Sequence, residues 1–501
     1  YSFFSDGDSE VILKAYAEWG EDCPGHLHGM FAFAVWDINR QRLFMARDRF
    51  GIKPLYYSLT AGRLRFASTS QALLAAGGLD TAIDPVAIHH HLSLHAVVPA
   101  PRTLLRGLRK LQPAHSLTFT AGSRPVLRRY WQLDARTVNS GMNEWEWIEA
   151  VHETLKKAVE RRRAIADVPV GILLSGGLDS SLLVAMLAEV GGGDLLTFSV
   201  GFEDQPEEKG HEFEYSDLVA ELYSTQHTRF TIPNSAVLAR LPEAVDNMAE
   251  PMVAQDAIAF YLLGERVSQA VKVVQSGQGA DEVFGGYFWY PQMQAAAGTD
   301  IKRFRPLYFD RSHAELQQAI TPACHGPDYT SARVAHGLAA TGADRFLNRV
   351  LAYDVTTLIV DDPVKRVDNM TMAWGLEARV PFLDQDLVEL VAGMPPEIKL
   401  KSGGKHPLKV IARDLLPDVV IDRPKGYFPV PSLKFVRGEV LEFMRAVLDS
   451  TACRERGLFQ RPYVERLLDN PEREHTPLLG SKLWHLALLE FWLQRNIDKP
   501  L

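Results

Sequence analysis

Cysteine is scarce in this chain, and long apolar runs and basic blocks are missing. Only three cysteines occur among 501 residues, Cys23, Cys324 and Cys453, and their spacing fits neither a metal site nor a disulfide framework. No apolar run approaches the roughly 18 residues of a membrane helix. The net charge is −8, so nothing favours a nucleic-acid partner. We therefore expect a cytoplasmic protein with no membrane or nucleic-acid partner.

The distribution of apolar residues indicates an α/β protein of more than one domain. Residues 1–130 are rich in short strand-like runs, and GMFAFAVWD (29–37) with QRLFMARD (41–48) predicts a hairpin. Residues 131–145 lack periodicity and predict a linker. From 146 onward strands alternate with helices, which indicates a parallel α/β sheet, and the remainder of the chain is predicted to be mainly helical.

The stretch SGGLDSS (175–181) follows an apolar strand and opens a helix. Backbone N–H groups at a helix start attract an anion, and Gly176 and Gly177 let the backbone approach its oxygens closely. Asp179 beside a phosphate makes sense if Mg²⁺ lies between them. Hydroxyl donors can come from three serines, Ser175, Ser180 and Ser181. The lysine of a Walker loop is absent, and the alternative interpretation is an ordinary capped glycine turn.

A second glycine-rich stretch, VVQSGQGADEVFGGY (273–287), also follows a predicted strand. Asp281 and Glu282 bring carboxylates toward the same edge of the sheet. Ligands of open α/β sheets bind outside the carboxyl ends of the strands. The two loops together predict a clamp for a magnesium triphosphate, and a purely structural turn is the alternative.

Several blocks resemble one known family. SGGLDSS is similar to the pyrophosphate-binding loop of ATP pyrophosphatase (PP-loop) enzymes. With SGQGADEVFGGY and KRVDNMTMAWGLEARVPFLD (365–384) it resembles the asparagine synthetase family of glutamine-dependent amidotransferases, and RDRFGIKPLYY (47–57) and GLRKLQPAHSLTF (107–119) resemble that family's glutaminase domain. The resemblance implies a partial Ntn-type glutaminase domain of layered β-sheets with helices over 1–130. After the linker, it implies a PP-loop ATP pyrophosphatase-like α/β synthetase domain with a helical C-terminal part over 146–501.

The resemblance also implies a reaction and its small-molecule substrates. A substrate carboxylate attacks the α-phosphate of ATP, which gives an acyl-adenylate and pyrophosphate. Ammonia made from glutamine then passes through an internal tunnel and displaces AMP. The implied cofactors are ATP as co-substrate and Mg²⁺. A homodimer is one option for the oligomeric state, which the sequence does not fix.

The site residues implied by the resemblance fall into four groups. ATP and pyrophosphate would be held by Leu173, Ser175, Gly176, Gly177, Asp179, Ser180, Val200, Ser276, Gly277 and Lys425. The catalytic residues would be Gln278, Lys409 and Asp281. Asp179 and Asp281 would hold the metal, and Asp8 would bind the α-amino group of glutamine. Lys409 is alternatively a solvated helix lysine, and Arg379 and Asp384 are alternatively structural ion-pair residues.

The N-terminus departs from the family pattern. The family's glutaminase nucleophile is an N-terminal cysteine whose own amine serves as base, whereas residue 1 is tyrosine here. We expect a fragment that lacks some tens of N-terminal residues, and a natural loss of glutaminase activity is the alternative. The chain as given is expected to use free ammonia at most. Cys23 lies well inside the domain and is expected to be a buried or loop thiol.

The second departure is Gln278, where asparagine synthetases carry glutamate. A carboxamide cannot accept a proton at neutral pH but can orient an acceptor by hydrogen bonding. The sequence around Gln278 resembles that of the family branch that makes N-acetylglutaminylglutamine amide, an osmoprotectant dipeptide. Phe288, Trp289 and Tyr290 would then line a roomier pocket, or else belong to the core. The leading hypothesis is this dipeptide amidotransferase. The others are asparagine synthetase, a non-catalytic nucleotide- or partner-binding paralogue, and a β-lactam-forming relative.

Overall fold

The computed structural model describes residues 1–138, 141–191, 193–206, 209–423, 430, 433 and 435–498. Two antiparallel sheets form the N-terminal unit, residues 1–130. The strands are β1 Ala32–Asp37, β2 Arg42–Arg47, β3 Tyr56–Thr60, β4 Arg63–Ala67, β5 Arg109–Lys110, β6 His115–Thr120 and β7 Val126–Arg129. One sheet has the order β1-β2-β6-β7 and the other β4-β3-β5. The helices are α1 Asp8–Trp19, α2 Cys23–His26, α3 Ser70–Ala75 and α4 Pro85–Ser93.

The predicted hairpin is confirmed. Strands β1 and β2 pair antiparallel with Asp37 opposite Arg42. Strand β1 starts at Ala32 rather than at Gly29, because the ladder with β2 ends where Ala32 meets Arg47.

A five-stranded parallel sheet forms the centre of the second part of the chain, as the alternation of strands and helices predicts. Its strands are β8 Val170–Leu173, β9 Leu196–Phe202, β10 Gln226–Ile232, β11 Val273–Gln275 and β12 Glu377–Arg379. The order is β10-β9-β8-β11-β12, and every pair is parallel. The chain runs outward from β8 to β10 and resumes at β11 on the other side of β8. The topological switch point, where such sheets bind ligands, therefore lies between β8 and β11.

Helices cover both faces of this sheet. Successive side chains of a strand point to opposite faces, and β8 shows this directly. Ile172 packs in a core with residues of α5 and α6, whereas Leu173 packs in a second core with Phe198 and residues of α8 and α9. The helices up to β12 are α5 Glu144–Ala164, α6 Leu178–Glu189, α7 Phe213–Leu222, α8 Asn234–Asn247, α9 Asp256–Val267, α10 Ala280–Phe284, α11 Trp289–Ala295, α12 Asp300–Tyr308, α13 His313–Ala319, α14 Tyr329–Ala340, α15 Phe346–Tyr353, α16 Ile359–Asp361 and α17 Pro363–Met372.

The C-terminal part is helical, as predicted. Its helices are α18 Gln385–Ala392, α19 Pro396–Leu400, α20 His406–Ala412, α21 Asp418–Ile421, α22 Gly438–Leu448, α23 Thr451–Arg456, α24 Arg461–Asp469 and α25 Lys482–Leu493. Within the described ranges, no helix is both long and apolar enough to cross a bilayer.

Helix α5 begins two residues before the end of the predicted linker. Asn143 caps it by accepting hydrogen bonds from the backbone N–H groups of Trp145 and Glu146, and the Glu146 carboxylate accepts from the Asn143 N–H. Such a capping box fixes the first turn of a helix. The limits 1–130 and 146–501 remain predictions for the domains.

Buried ion pairs join Lys110 of the N-terminal unit to the segment between α8 and α9 and to α16. The Lys110 ammonium lies 2.8 Å from the Glu250 carboxylate and 2.5 Å from that of Asp361. Lys365 pairs with the same two acids at 3.2 and 3.4 Å. All four side chains are at most 7% exposed. This buried charge cluster is locally neutral, which is the condition under which buried charges are tolerated.

Candidate active site

The loop between β8 and α6 has the features of an anion site. Gly177 precedes α6 and contributes no capping side chain, so the first N–H groups of the helix have no side-chain cap and point outward from its positive end. Ser175 is exposed beside them. The Ser180 hydroxyl instead braces the loop, because it accepts from the Ser175 N–H at 3.1 Å and lies 3.0 Å from the Ser175 hydroxyl.

Gly176 allows this loop to pack closely. Its φ is +72°, and a Cβ there would lie 2.6 Å from the Ser216 nitrogen and from Tyr215 Cβ. The loop is therefore pressed against the start of α7, and only glycine fits at position 176.

We expect Gly176→Ala to destabilise the protein by at least about 2 kcal/mol more than Gly342→Ala, because overpacking adds to the backbone strain. Gly342 is a matched control, since its φ is +71° and nothing lies within 4 Å of its Cβ position. Chemical denaturation of both variants measures the difference. Equal losses of stability in the two variants would show that the close packing at Gly176 adds nothing to the cost of the substitution.

The second loop, after β11, lies against the first. A Cβ on Gly277 would be 3.0 Å from Asp179 Cβ, so the two glycine-rich stretches touch at the edge of the sheet. Ser276 is buried and its N–H donates to the Arg379 carbonyl at 2.8 Å. Glu282 does not join Asp281 at this edge as the sequence suggested. Its carboxylate is buried in the interior, where it accepts from the Tyr287 hydroxyl at 2.7 Å.

Lys405 joins the two loops. Its ammonium lies 2.7 Å from the Asp179 carboxylate and 2.8 Å from that of Asp281. Burial alone would lower the pKa of Lys405, but the charges of the two carboxylates and the hydrogen bonds to them raise it above its ordinary value. The lysine therefore stays charged and holds the predicted metal-binding carboxylates together.

The backbone around Lys405 explains how it reaches this position. Lys405 has φ +54° and immediately precedes α20, and its N–H donates to the Phe284 carbonyl at 3.1 Å. Gly404, with φ +102°, packs its backbone on Gly285. Gly286 has no side chain because Lys405 and Asp281 fill the space that a Cβ would need. Sequence reasoning missed Lys405, although the GGKHP context around it signals an unusual backbone.

Three further basic residues lie on the segment that follows. The Lys409 ammonium donates to the Ser402 carbonyl at 2.6 Å, and this is its one hydrogen bond within the described chain. Burial and the charge of Lys405 lower the pKa of Lys409. Arg423, which the sequence analysis also missed, lies near Gly177 and pairs with Glu212 at 3.0 Å. Lys425 lies outside the described residues.

Gln278 sits between the two glycines of the second loop and is half-buried. Its carboxamide has no hydrogen-bond partner in the part of the chain that the structure describes. Gln278 follows Gly277, whose Cβ position lies 3.0 Å from Asp179 Cβ, and precedes Asp281 by three residues, so its backbone belongs to the same pair of loops.

The remaining predicted residues occupy different places. Leu173 and Val200 lie on the neighbouring strands β8 and β9, near their carboxyl ends. Asp8 opens α1 in the N-terminal unit and is exposed, with the Ser9 hydroxyl 3.3 Å from its carboxylate.

Arg379 and Asp384 form ion pairs, as the structural alternative in the sequence analysis predicted. Arg379 pairs with Glu377 at 2.7 Å. The Asp384 carboxylate lies 2.7 Å from the Arg162 guanidinium and 2.9 Å from that of Arg161. The structural interpretation of Arg379 and Asp384 is confirmed.

The aromatic run after the second loop is mostly core. Trp289 is 6% exposed and Tyr290 is fully buried, whereas Phe288 is 44% exposed. Tyr290 also donates a hydrogen bond to Asp354 at 2.5 Å. Only Phe288 is therefore open to a ligand.

Two features of the N-terminal unit are structural. Asp48, in RDRFGIKPLYY, is fully buried and accepts from the backbone N–H groups of Ile52 and Lys53, both at 2.9 Å. Cys23 is also fully buried. Burial, aided by the charge of Asp22, raises the pKa of the Cys23 thiol to about 12. This confirms that Cys23 is a buried thiol, and it is not an activated nucleophile.

Comparison with known proteins yields two family matches that cover almost the whole chain. The asparagine synthase model matches residues 150–494, and the glutamine amidotransferase domain model matches residues 1–131. The chain is 28% identical to asparagine synthetase (glutamine-hydrolyzing) 1 of Bacillus subtilis, over 100% of this chain and 82% of that protein.

Two further relatives show the range of the family. Asparagine synthetase (glutamine-hydrolyzing) 3 of B. subtilis is 29% identical over 99% of this chain and 83% of its own length. Amidase chyE of Penicillium rubens is 27% identical over 80% of this chain and 68% of its own length. The asparagine synthase match alone spans more than half of the chain. The chain therefore belongs to the asparagine synthetase family and is a ligase of the glutamine-dependent, amide-forming type.

Proposed function

We propose that this enzyme binds ATP across the two glycine-rich loops, adenylates a substrate carboxylate and converts it to an amide with ammonia. The single observation that carries this proposal is the Lys405 ammonium, held between Asp179 and Asp281. It brings the ends of β8 and β11 together at the switch point of the sheet, where a nucleotide is expected.

The groups around the loops suit a diphosphate leaving group. The start of α6 offers uncapped N–H groups, and Ser175 adds an exposed hydroxyl. Lys405 and Arg423 supply two fixed positive charges beside the loops. Fixed donors and charges stabilise negative charge that develops in the transition state. These residues would thus favour release of pyrophosphate from the α-phosphate of ATP.

The carboxylates of Asp179 and Asp281 fit Mg²⁺. Magnesium is usually bound by one or two carboxylates together with phosphate oxygens, and it neutralises charge on a departing diphosphate. Both carboxylates point at one cation, the ammonium of Lys405, which lies 2.7 and 2.8 Å from them, so their oxygens converge as a metal-binding pair requires. Both side chains keep some exposure, 22% and 16%, so a phosphate-bound cation has access to them.

For the acceptor, we propose the C-terminal carboxylate of N-acetylglutaminylglutamine. Gln278 carries a neutral carboxamide with no hydrogen-bond partner among the described residues, and such a group can both donate to and accept from an amide-rich acceptor. The exposed ring of Phe288 adds apolar surface close to this loop. Aspartate is the second candidate, because the Bacillus relatives carry the name asparagine synthetase.

The glutaminase half-reaction is likewise a proposal. Asp8 would bind the α-amino group of glutamine in the N-terminal unit. The ammonia would then reach the loops inside the protein, and free ammonium can replace it in an assay.

Pyrophosphate release with ATP, Mg²⁺ and ammonium tests the acceptor. We expect N-acetylglutaminylglutamine to support release at least about tenfold faster than aspartate, because a site built around hydrogen bonds discriminates against acceptors that lack them. Mass spectrometry should show the dipeptide amide. Faster release with aspartate would make the enzyme an asparagine synthetase. If neither acceptor supported release, the result would favour the non-catalytic alternative or an acceptor of another kind.

Gln278→Glu is expected to keep nucleotide affinity within about twofold and to lower kcat/KM for the dipeptide at least about tenfold, since a carboxylate cannot donate a hydrogen bond to it. Isothermal titration with an ATP analogue and steady-state kinetics separate the two effects. Gln269→Glu, an exposed position with the same change of charge, should alter neither. A collapse of nucleotide affinity in Gln278→Glu would show that Gln278 does not act at the acceptor carboxylate.

A further inference from the structure

His95, Asp310 and His485 meet in the interior, away from the glycine-rich loops. His95 follows α4 in the N-terminal unit, Asp310 follows α12, and His485 lies in the first turn of α25. Asp310 and His485 are at most 1% exposed, and the His95 side chain is 11% exposed. Three distant stretches of chain thus converge on one buried point.

The spacing of their atoms suits a shared ion better than direct hydrogen bonds. His95 Nδ1 lies 3.7 Å from one Asp310 oxygen, and His485 Nδ1 lies 3.5 Å from the other. One ligand atom from each residue falls within 4.8 Å of the other two. Hydrogen bonds between such atoms span about 2.7–3.2 Å. Two ligands of a tetrahedral zinc ion, each about 2.0–2.1 Å from the metal, lie about 3.4 Å apart.

The polar atoms at this point are otherwise unsatisfied. His95 Nδ1, one Asp310 oxygen and both ring nitrogens of His485 lack a hydrogen-bond partner in the described chain. The guanidinium next in sequence is no partner either, since Arg311 donates to the Tyr463 hydroxyl and to two backbone carbonyls. Leaving several buried polar atoms unpaired costs stability, and each such atom calls for a partner.

A backbone hydrogen bond also orients the Asp310 carboxylate. The His95 backbone N–H donates to its Oδ2 at 2.9 Å. Such a hydrogen bond fixes the direction of a ligating carboxylate, as outer-shell partners do in metal sites. The other oxygen, Oδ1, lies 3.7 Å from His95 Nδ1 and has no hydrogen-bond partner in the described chain.

We propose that His95, Asp310 and His485 bind one divalent transition-metal ion, of which Zn²⁺ matches the ligand types and spacing, and that this ion ties the N-terminal unit to the C-terminal helix α25. Two imidazoles and a carboxylate are ordinary zinc ligands. The site lies outside the nucleotide loops, so its role is structural. The ion adds a cross-link between parts of the chain that otherwise meet through packing and ion pairs.

The metal content of the purified full chain tests this proposal. After exposure to Zn²⁺ and removal of the excess, we expect about one equivalent per chain. His95→Asn and Asp310→Asn should retain less than about a tenth of that, because each removes one of only three protein ligands. Asparagine suits position 95, where φ is +52°. His325→Gln is the control, since its ring already bonds the Ile320 carbonyl.

Two measurements on the unmodified protein keep the test independent of how the variants fold. Co²⁺ in place of Zn²⁺ should give visible absorption bands of a low-symmetry site, and a chelator should lower Tm by several degrees in the absence of nucleotide. Absence of bound Zn²⁺ and of the cobalt bands, with Tm unchanged by chelator, would overturn the proposal and leave a buried histidine–aspartate cluster without metal.

Discussion

Replacing Lys405 by methionine will lower kcat/KM for ATP-dependent pyrophosphate release at least about 100-fold, the scale on which loss of one preorganised charged donor acts. The ammonium bridges Asp179 and Asp281, and without it two carboxylates face each other and the incoming phosphates. Methionine keeps the length of the apolar stem, so the loss reports on the charge. Initial rates with saturating acceptor and varied ATP measure the effect.

Two other lysines of the same segment are compared with Lys405, and Lys401 is the control. Lys401 is 56% exposed and pairs with Glu144 at 2.8 Å, so Lys401→Met should leave the rate within about twofold. Lys409→Met tests the lysine to which the sequence analysis gave a catalytic role. Lys405, by contrast, is the lysine that lies at the two carboxylates. A rate for Lys405→Met equal to that of Lys401→Met would refute a role for the bridge.

Lys110→Met is expected to lower the free energy of unfolding by about 3–5 kcal/mol, which is the cost of removing one partner from a buried ion cluster. The change leaves Lys365 as the remaining ion-pair partner of Glu250 and Asp361 among the described residues. Burial would raise the pKa of Asp361, but the charges of Lys110 and Lys365 hold it below its ordinary value. Without Lys110, part of the positive charge that stabilises the ionised Asp361 carboxylate is lost. Chemical denaturation followed by fluorescence measures the change.

Combining Lys110→Met with Glu250→Gln removes one charge of each sign and should recover a large part of the loss. Lys209→Met is the matched surface control. Lys209 is 67% exposed and pairs with Glu214 at 3.2 Å, so its loss should cost at most about 1 kcal/mol. Similar costs for Lys110→Met and Lys209→Met would contradict the importance assigned to the buried cluster.

The sequence predicts the parallel sheet and its two glycine-rich loops because those features are local. A strand, a glycine-rich turn and a helix follow one another within about a dozen residues, and their periodicity is visible in the residue order. The hairpin of β1 and β2 is equally local. The close contact of Gly277 with Asp179 follows from adjacent parallel strands, and this too is a general property of the fold.

The bridge through Lys405 could not be predicted in the same way. Lys405 and Asp179 are far apart in the chain, and their contact depends on how Gly404 packs on Gly285. Lys405 and Lys409 carry the same charge one helical turn apart, so the residue order alone does not tell which reaches the carboxylates. The site formed by His95, Asp310 and His485 escapes sequence analysis for the same reason, because its spacing matches no metal-binding motif.

A crystal structure of this protein with a non-hydrolysable ATP analogue and Mg²⁺ tests whether the two glycine-rich loops bind the nucleotide. We expect the triphosphate between loops 175–181 and 276–282, with Asp179, Asp281 and Lys405 around it. A triphosphate bound elsewhere, with this cleft empty at saturating nucleotide, would contradict this expectation.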